Sequence, residues 1–242
     1  MVDIHCHIIP EVDDGPRTWE VAAEMCRVAA SDGIRHIVAT PHANEEYAYN
    51  RDDLKERLAR LKDISGNLLN FSLGCDFHFS YENIRDCLDH PERYRIGTTN
   101  YLLVEFSDFA ISPNASEHLG LLQRQGLVPI ITHPERNPIL QRRPELVQAW
   151  VRQGAIVQIT ANALTGRWGP IAKKAALRFM SQGAAHVIAT DAHDLRSRPP
   201  VLSAAREELA RLADPQTAHA MVDANPRAIV EGQPLPFVPA PA

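Results

Sequence analysis

Cysteine is scarce in this sequence: the 242 residues contain four, Cys6, Cys26, Cys75 and Cys87. Their spacing forms neither a CxxC pair nor the framework typical of small disulfide-rich domains. A zinc-finger protein is therefore not indicated, and the pattern is typical of a chain that stays in a reducing compartment.

Long hydrophobic runs and an excess of positive charge are missing as well. No apolar segment approaches the ~20 residues that cross a bilayer, and the N-terminus MVDIHCHIIP lacks the basic start and apolar core of a signal peptide. The 25 Lys and Arg residues stand against 30 Asp and Glu, a net charge of −5, and the charges are scattered. We therefore expect a cytoplasmic protein without membrane insertion and without a nucleic-acid partner.

The composition that is present, 45% hydrophobic and 23% charged residues, is that of an ordinary folded protein. Helical stretches that end in glycine are followed by short apolar runs and then by polar residues, and this pattern begins at Gly33, Gly126, Gly154 and Gly183. Runs that are apolar on both faces are typical of parallel strands buried beneath helices. Three further apolar runs, which bring the candidate strands to about seven, lie at residues 2–8, 70–78 and 101–106.

The predicted fold class is α/β, a distorted seven-stranded (β/α)7 barrel that forms a single domain over residues 1–232. A doubly wound sheet is the alternative, but polar residues follow nearly every candidate strand, and in a barrel all these strand ends meet at one rim. Residues 233–242 carry four prolines, and we expect a disordered tail there.

Histidines and carboxylates follow the candidate strands at positions suited to metal binding. Alternation along the first strand places the imidazoles of His5 and His7 on one face. The candidate ligands are His5, His7, Asp14, His42, Asp76, Glu105, His133, Asp191 and His193. Mixed imidazole and carboxylate ligands suit Mn, Fe or Zn better than Ca or Mg, and the set is too large for one ion. We therefore predict two or three ions; a rim of polar residues without metal is the alternative.

Two arginines lie within the same motifs. Arg136 follows His133 in HPER, and Arg198 follows His193 in DAHDLRSRPP. A guanidinium binds phosphate with two parallel hydrogen bonds, so cations and arginines together indicate an anionic, oxygen-rich substrate. Phosphate is the group that this combination favours, although each arginine judged singly also suits a surface position.

Six motifs occur in a characteristic order: MVDIHCHIIPEVDDGP, VATPHAN, LLVEF, THPERN, ATDAHDLRSRPP and ANPRAIV. In these motifs the chain resembles the bacterial PHP-type (polymerase and histidinol phosphatase) manganese-dependent protein-tyrosine phosphatases of capsule and exopolysaccharide synthesis. The resemblance extends to about residue 231, and VDDGP, HPER and DAHDLRSRPP are its more specific parts. It implies hydrolysis of phosphotyrosine on a protein, with a cognate bacterial tyrosine kinase as the expected substrate.

The resemblance also implies three metal ions, usually manganese, with a defined ligand set for each. The first ion would be held by His5, His7 and Asp191, the second by Glu105 and His133, and the third by Asp14, His42 and His193. Asp76 would bridge the first two ions. The family has Glu at this position, in GxE, whereas this chain has Gly74-Cys75-Asp76. His78, two residues further on, is therefore a candidate for a compensating ligand or for a position behind the ligands.

The reaction expected from this site is attack on phosphorus by a metal-bound hydroxide, because coordination lowers the pKa of water from ~15.7 to near neutrality. Arg136, Arg198 and the third ion would hold the phosphoryl oxygens. A tyrosinate has a parent pKa of ~10 and makes a modest demand for a general acid. Asp14 is the carboxylate to which we assign any assisting role.

A competing motif is Cys87-x5-Arg93, which has the spacing of cysteine-based tyrosine phosphatases. That chemistry needs backbone amides around the phosphate and a stabilised thiolate. The segment contains no glycine, and Asp89 and Glu92 would repel the anion, so this reading is disfavoured.

Other functions also stay open from the sequence. One alternative is a metal-dependent phosphoesterase for a small ester such as histidinol phosphate or a nucleotide. The non-enzymatic alternative is a metal-containing protein that binds a kinase. The oligomeric state is not indicated, and the three tryptophans, Trp19, Trp150 and Trp168, are interpreted as packing residues.

Overall fold

The computed structural model describes residues 1–240, in which helices and parallel strands alternate. The strands are β1 Val2–Cys6, β2 His36–Ala39, β3 His42–Ala43, β4 Asn70–Leu73, β5 Asp76–His78, β6 Tyr101–Glu105, β7 Val128–Thr132, β8 Ile156–Thr160 and β9 Val187–Ala189. The helices are α1 Trp19–Asp32, α2 Arg51–Ile64, α3 Tyr81–Asp89, α4 Ala115–Arg124, α5 Pro138–Arg142, α6 Pro144–Arg152, α7 Ala161–Leu164, α8 Gly169–Ser181, α9 Ser203–Leu212, α10 Pro215–His219 and α11 Asn225–Glu231. A short 3₁₀ helix covers Pro91–Arg93, and a π-helical turn covers Ala220–Ala224.

The boundary between α1 and β2 illustrates why helices end where the sequence predicts. Gly33 follows α1 with φ of 95°, and its N–H donates to the carbonyl groups of Ala29 and Ala30. A left-handed backbone of this kind strains other residues, so glycine suits the position. At the other end of α1, the side chain of Thr18 accepts a hydrogen bond from the N–H of Val21. The predicted glycine boundary is confirmed here.

All the strand pairs are parallel, and they form two sheets. One sheet has the order β1-β2-β4, and the other has the order β3-β5-β6-β7-β8-β9. The α/β class and the single folded unit are therefore confirmed. The closed barrel of seven strands stays a prediction, because the strands divide into two sheets.

Two of the predicted strands are interrupted where the sequence showed one apolar run. Residues 40–41 separate β2 from β3, and residues 74–75 separate β4 from β5. Pro41 has no N–H for a sheet hydrogen bond. At Gly74 a Cβ would lie 3.0 Å from Cγ1 of Val38, so the side chain of Val38 packs closely against the Gly74 backbone. The interruptions redirect β3 and β5 into the second sheet just before His42 and Asp76.

The strands are apolar on both faces, as expected for parallel strands covered by helices. The helix-facing side chains belong to a large buried cluster that includes Trp150, Phe77 and Phe179. A smaller cluster, which includes Ile4 and Leu103, fills the space between the strands. Both clusters leave the carboxyl ends of the strands free for polar side chains.

The predicted tail begins at residue 233, and its described part, 233–240, contains neither helix nor strand. The hydroxyl of Tyr101 donates to the carbonyl of Gln233 at 2.6 Å, and the side chain of Asn225 exchanges two hydrogen bonds with the backbone of Phe237. The segment up to Phe237 therefore contacts the body of the protein, and the disorder of residues 233–242 stays a prediction. Residues 241–242 of the predicted tail lie outside the described residues, and the domain boundary at residue 232 stays a prediction.

Within residues 1–240, none of the helices combines the length and the apolar character that crossing a bilayer requires.

Candidate metal centre

The first part of the site is formed by two histidines: His5 lies in β1, and His7 follows the strand. Nε2 of His5 and Nε2 of His7 lie 3.2 Å apart and face each other. The other ring nitrogens are engaged: Nδ1 of His5 donates to Gln158 at 3.0 Å, and Nδ1 of His7 donates to Asp13 at 2.7 Å. Since a metal-binding histidine typically donates its second ring N–H to an oxygen, both imidazoles are oriented to offer Nε2 to a cation.

Asp76, at the start of β5, is the carboxylate closest to several of these rings. Its Oδ2 lies 3.4 Å from Nε2 of His5, 3.9 Å from Nε2 of His7 and 3.3 Å from Nδ1 of His42. The carboxylate is completely buried, yet neither oxygen has a hydrogen-bond partner among the described residues. A buried carboxylate without donors is costly unless a cation neutralises it.

Asp14, in the loop after β1, approaches two other histidines. Its Oδ1 lies 3.1 Å from Nε2 of His193 and 3.4 Å from Nε2 of His42. The rings of His7 and His193 are stacked with centroids 3.8 Å apart. These four side chains, predicted as strand-end ligands, therefore converge although they come from three separate parts of the chain.

Glu105, at the end of β6, is shared between several partners. Its Oε1 lies 3.6 Å from Nε2 of His133, and its Oε2 lies 3.6 Å from Nδ1 of His42. Nδ1 of His78 is 3.9 Å from the same Oε2. Within the described residues His78 joins none of the groups that could hold a metal, so the structure places it against Glu105 rather than among the ligand atoms.

All nine candidate ligands fall into four overlapping groups whose ligand atoms lie within 4.8 Å of one another. The groups are His7, Asp14, His42 and His193; His5, His7 and Asp76; His5, His133 and Asp191; and His42, Asp76 and Glu105. The first group contains the set expected for a third ion. Asp76 belongs to two groups, one with His5 and His7 and the other with His42 and Glu105. Although its side chain is shorter than the Glu of the family, it therefore reaches potential ligands of both groups. Nε2 of His5, Nε2 of His7 and Oδ1 of Asp191, the set expected for the first ion, lie 3.2 to 3.6 Å apart. Glu105 and His133, expected for the second ion, approach to 3.6 Å. The assignment of ligands to individual ions stays a prediction.

Asp191 connects the histidines to the two arginines. Its Oδ1 lies 3.4 Å from Nε2 of His5, whereas its Oδ2 accepts hydrogen bonds from Arg136 and from Arg198, the latter at 2.8 Å. The backbones of Asp191 and His133 have positive φ values of 53° and 32°. Non-glycine residues with such angles are strained, and strain of this kind is concentrated at functional sites.

Asp13 is a site residue that the sequence reasoning passed over in favour of Asp14. In addition to His7, its carboxylate accepts hydrogen bonds from the N–H groups of Gly15 and His42. A Cβ at Gly15 would lie 2.6 Å from the carbonyl oxygen of His7, so only glycine allows the loop to approach β1 this closely. Of the two adjacent aspartates, Asp14 therefore belongs to the cluster, whereas Asp13 lies behind it and contacts Nδ1 of His7.

Trp168 was interpreted as a packing residue, but the structure places it at the rim of the site, 37% exposed. The Cζ atoms of Arg136 and Arg198 lie 4.3 and 5.8 Å from the centroid of its ring. The packing interpretation assumed that Trp168 lies in a helix. In the structure Trp168 is the residue before α8, and its ring faces the two arginines.

The charges within the cluster shift the pKa values of its histidines in opposite directions. Burial lowers the pKa of His5, but the charges of Asp76 and Asp191 outweigh it and raise the pKa to about 9. For His42 burial is likewise outweighed, mainly by Asp14 and Asp76, and the pKa rises to about 10. Burial and then the charge of Arg136 lower the pKa of His133 to about 3. The carboxylates around His5 and His42 therefore favour positive charge at these two positions.

The donor set fits divalent transition metals. Imidazole nitrogens and carboxylate oxygens are the ligands that Mn, Fe and Zn share, and the unpartnered oxygens of Asp76 are the atoms that a cation would satisfy. Two clefts of about 620 and 380 Å³ open on either side of Glu105 and Asp108. His42 lines the first cleft, whereas His133 and Arg136 line the second, so the cluster is accessible to a ligand from outside.

The cysteine-based alternative is not supported by the geometry. Cys87 is completely buried in α3, and burial raises the pKa of its thiol to about 12. Arg93 forms an ion pair with Asp86 at 2.6 Å. The thiolate and the free guanidinium that such a mechanism needs are therefore both missing at this position.

The fold and the cluster together define a class: an α/β protein with parallel strands whose carboxyl ends carry a histidine–carboxylate centre able to hold divalent metals beside two arginines. Residues 1–231 match the family described as capsular polysaccharide synthesis, CpsB/CapC, and the chain belongs to this family.

Individual relatives agree with this assignment. The tyrosine-protein phosphatase YwqE of Bacillus subtilis strain 168 is 36% identical over 207 residues, which cover 82% of this chain and 79% of YwqE. The tyrosine-protein phosphatase CpsB of Streptococcus pneumoniae is 28% identical over 96% of this chain and 99% of CpsB. A crystal structure from work on these two proteins, described as unique metal-dependent tyrosine phosphatases, superposes with a TM-score of 0.92 at 30% identity and covers 100% of this chain and 99% of its own.

Proposed function

We propose that this protein is a metal-dependent protein-tyrosine phosphatase. One observation carries the proposal: four overlapping groups of potential metal ligands lie directly beside Arg136 and Arg198, which both donate to Asp191. Cations and guanidinium groups within one side-chain length of each other form a site for a phosphoryl group. The names of the relatives YwqE and CpsB support phosphotyrosine as the substrate.

The nine residues of the cluster are the proposed metal ligands: His5, His7, Asp14, His42, Asp76, Glu105, His133, Asp191 and His193. We propose manganese in two or three positions, with iron and zinc as the metals to compare. When bound, such cations supply water at a pKa near neutrality and stabilise negative charge on the phosphoryl oxygens. Asp13 and Gln158 hold the rings of His7 and His5 in the orientation that ligation requires.

The two arginines bind and orient the phosphoryl group. Each already donates to one oxygen of Asp191, so their guanidinium groups point at the centre from the same side. Planar donors of this kind match phosphoryl oxygens in geometry and in charge, and they stabilise the charge that develops on these oxygens during transfer.

Asp14 orients the side chains around it and does not supply a proton. Burial raises its pKa, but hydrogen bonds with His193 and His42 outweigh this effect and hold the pKa well below the usual range. Asp14 is therefore ionised at neutral pH. A departing tyrosinate, with a parent pKa of ~10, depends less on a general acid than an alkoxide does.

We also propose that the two sheets form one closed barrel of seven strands, with β2 and β3 as one interrupted strand and β4 and β5 as another. The N–H of His7 donates to the carbonyl of Ala192 at 2.8 Å, and the N–H of Asp191 donates to the carbonyl of His5 at 2.9 Å. These hydrogen bonds support closure between β1 and the end of β9, with residues 1–232 as the folded unit.

The proposed substrate is a phosphotyrosine-bearing protein in the cytoplasm, in particular a bacterial tyrosine kinase of capsule or exopolysaccharide synthesis. The description of the CpsB/CapC family supports the link to capsular polysaccharide.

The test is hydrolysis of a phosphotyrosine peptide by one preparation whose metal content is measured throughout. We expect chelation to abolish hydrolysis and added manganese to restore it more fully than iron or zinc. A small alkyl phosphate, assayed in parallel, should react much more slowly. Activity that survives complete metal removal, or equal rates on the alkyl phosphate, would contradict the proposal.

A further inference from the structure

We propose that Trp168 is a positioning residue that holds the guanidinium groups of Arg136 and Arg198 in the plane from which they bind phosphate. The inference rests on the proposed function for its ligand, and it deepens that function by adding a residue that acts through the two arginines. The observation behind it is the stacking of both arginines over one indole ring, with Cζ distances of 4.3 and 5.8 Å.

The backbone of Trp168 is connected through Asn162 to the loop that carries Arg198. The N–H of Trp168 donates to the carbonyl of Asn162 at 3.2 Å, and the side chain of Asn162 donates to the carbonyl of Ser197 at 3.3 Å. The loop of residues 194–198 is closed by the carboxylate of Asp194, which accepts from the N–H groups of Arg196 and Ser197 at 2.6 Å each. The backbone of Trp168 is therefore connected to the loop that carries Arg198, and its indole lies beneath two side chains that are otherwise long and flexible.

Such a surface matters because an arginine loses rotamer freedom when it binds phosphate. Both guanidinium groups donate to Oδ2 of Asp191, which is also a proposed metal ligand. A cation held by Asp191 would weaken its attraction for the arginines, and the aromatic face of Trp168 would then be the contact that orients them. The same ring lines the cleft beside Glu105 and His133, so the arginines remain next to the proposed reaction centre.

The chain contains a matched control for this contact. Trp19 lies at the start of α1, and Cζ of Arg60 is 4.0 Å from the centroid of its ring. The third tryptophan, Trp150, is completely buried and donates to Ser116. Trp19 and Arg60 therefore form a cation–π pair of the same kind that involves neither Arg136 nor Arg198. Substitution of Trp19 shows how much of any effect on phosphate binding comes from losing a tryptophan in general.

The experiment is a titration of the manganese-loaded protein with inorganic phosphate, followed by intrinsic fluorescence and by calorimetry. We expect a saturable fluorescence change that persists in Trp19→Phe and disappears in Trp168→Phe. By calorimetry, Trp168→Ala should weaken phosphate binding about two- to thirty-fold. Trp168→Phe should recover part of this loss, and Trp19→Ala should stay within about two-fold of the wild type. Manganese content should be the same in all variants.

The inference would be overturned if the fluorescence change persisted in Trp168→Phe, or if Trp168→Ala bound phosphate as tightly as the wild type. Because inorganic phosphate is the probe, the result does not depend on the identity of the substrate. Trp168-dependent phosphate binding without hydrolysis of phosphotyrosine would refute the proposed function and leave the inference intact. If the protein hydrolysed phosphotyrosine but bound phosphate equally well without Trp168, the inference would be refuted and the proposed function would stand.

Discussion

Two buried aspartates, Asp3 of β1 and Asp76 of β5, differ in how their charge is accommodated. Asp3 accepts hydrogen bonds from the N–H and the hydroxyl of Thr190, and burial raises its pKa to about 6. Asp76 is equally buried but has no hydrogen-bond partner among residues 1–240, and burial is outweighed by the charges of His5 and His42, which hold its pKa below the usual range. The first carboxylate joins two strands, whereas the second depends on positive charge. The comparison teaches that burial alone does not distinguish a structural carboxylate from a ligand; the identity of its donors does.

The largest expected effect is that of Asp76→Asn, which keeps the shape of the side chain and removes its charge. Because Asp76 reaches two of the four ligand groups, we expect manganese affinity and phosphatase activity to fall at least about a hundred-fold. The rise in Tm that manganese causes in the wild type should disappear. Metal analysis, a phosphotyrosine-peptide assay and thermal unfolding with and without manganese measure these changes. An unchanged manganese-dependent rise in Tm would show that Asp76 is not a ligand.

The next effect is the pH dependence of metal binding. With pKa values of about 9 and 10, His5 and His42 carry protons at pH 7.5 in the metal-free protein, and ligation requires that they lose them. Manganese affinity should therefore rise with pH, by about ten-fold per pH unit for each proton released. Calorimetry in two buffers with different ionisation enthalpies counts these protons. Binding at pH 7.5 without proton release would contradict the predicted charge state.

A smaller effect, on stability rather than on metal binding, is expected for Asp3→Ala. The substitution leaves the buried N–H and hydroxyl of Thr190 without their acceptor, which costs about 2 kcal/mol of unfolding free energy. Denaturant unfolding measures this loss. In contrast to Asp76→Asn, the variant should keep the manganese-dependent rise in Tm. If the rise were lost here as well, the two carboxylates would not have separate roles.

The smallest effect is expected for Cys87→Ala. The thiol is buried in α3, away from the cluster, and its high pKa keeps it protonated. Activity on a phosphotyrosine peptide should stay within about two-fold of the wild type, since a protonated, inaccessible thiol is no nucleophile. Turnover that vanished while manganese content stayed normal would reinstate the cysteine-based mechanism.

Much of the fold was predictable because its determinants are local. Glycine at a helix end and an apolar run after it are properties of adjacent residues, and β2, β7, β8 and β9 follow the predicted glycines. The interruptions before His42 and Asp76 were not predicted. They depend on contacts between strands, such as the approach of Gly74 to Val38, which no single run of residues reveals.

The candidate site was predictable to a similar extent. The ligands lie at or just after the ends of the apolar runs, and parallel strands bring their ends together, so the nine candidate positions could be named in advance. Asp13 and Trp168 were missed for different reasons. Asp13 is chemically the same as its neighbour Asp14, and only its orientation assigns it to His7. Trp168 acquires its partners, Arg136 and Arg198, from segments about 30 residues away on either side.

Residue type and spacing alone determined the chemistry available to this protein: imidazoles, carboxylates and guanidinium groups placed after buried strands. Tertiary structure decided which of these groups contact one another. Ligation and stacking depend on distances of a few ångströms between side chains that are far apart in the chain. The tertiary structure left the oxygens of Asp76 facing three histidines without a donor, and it placed one indole beneath two arginines.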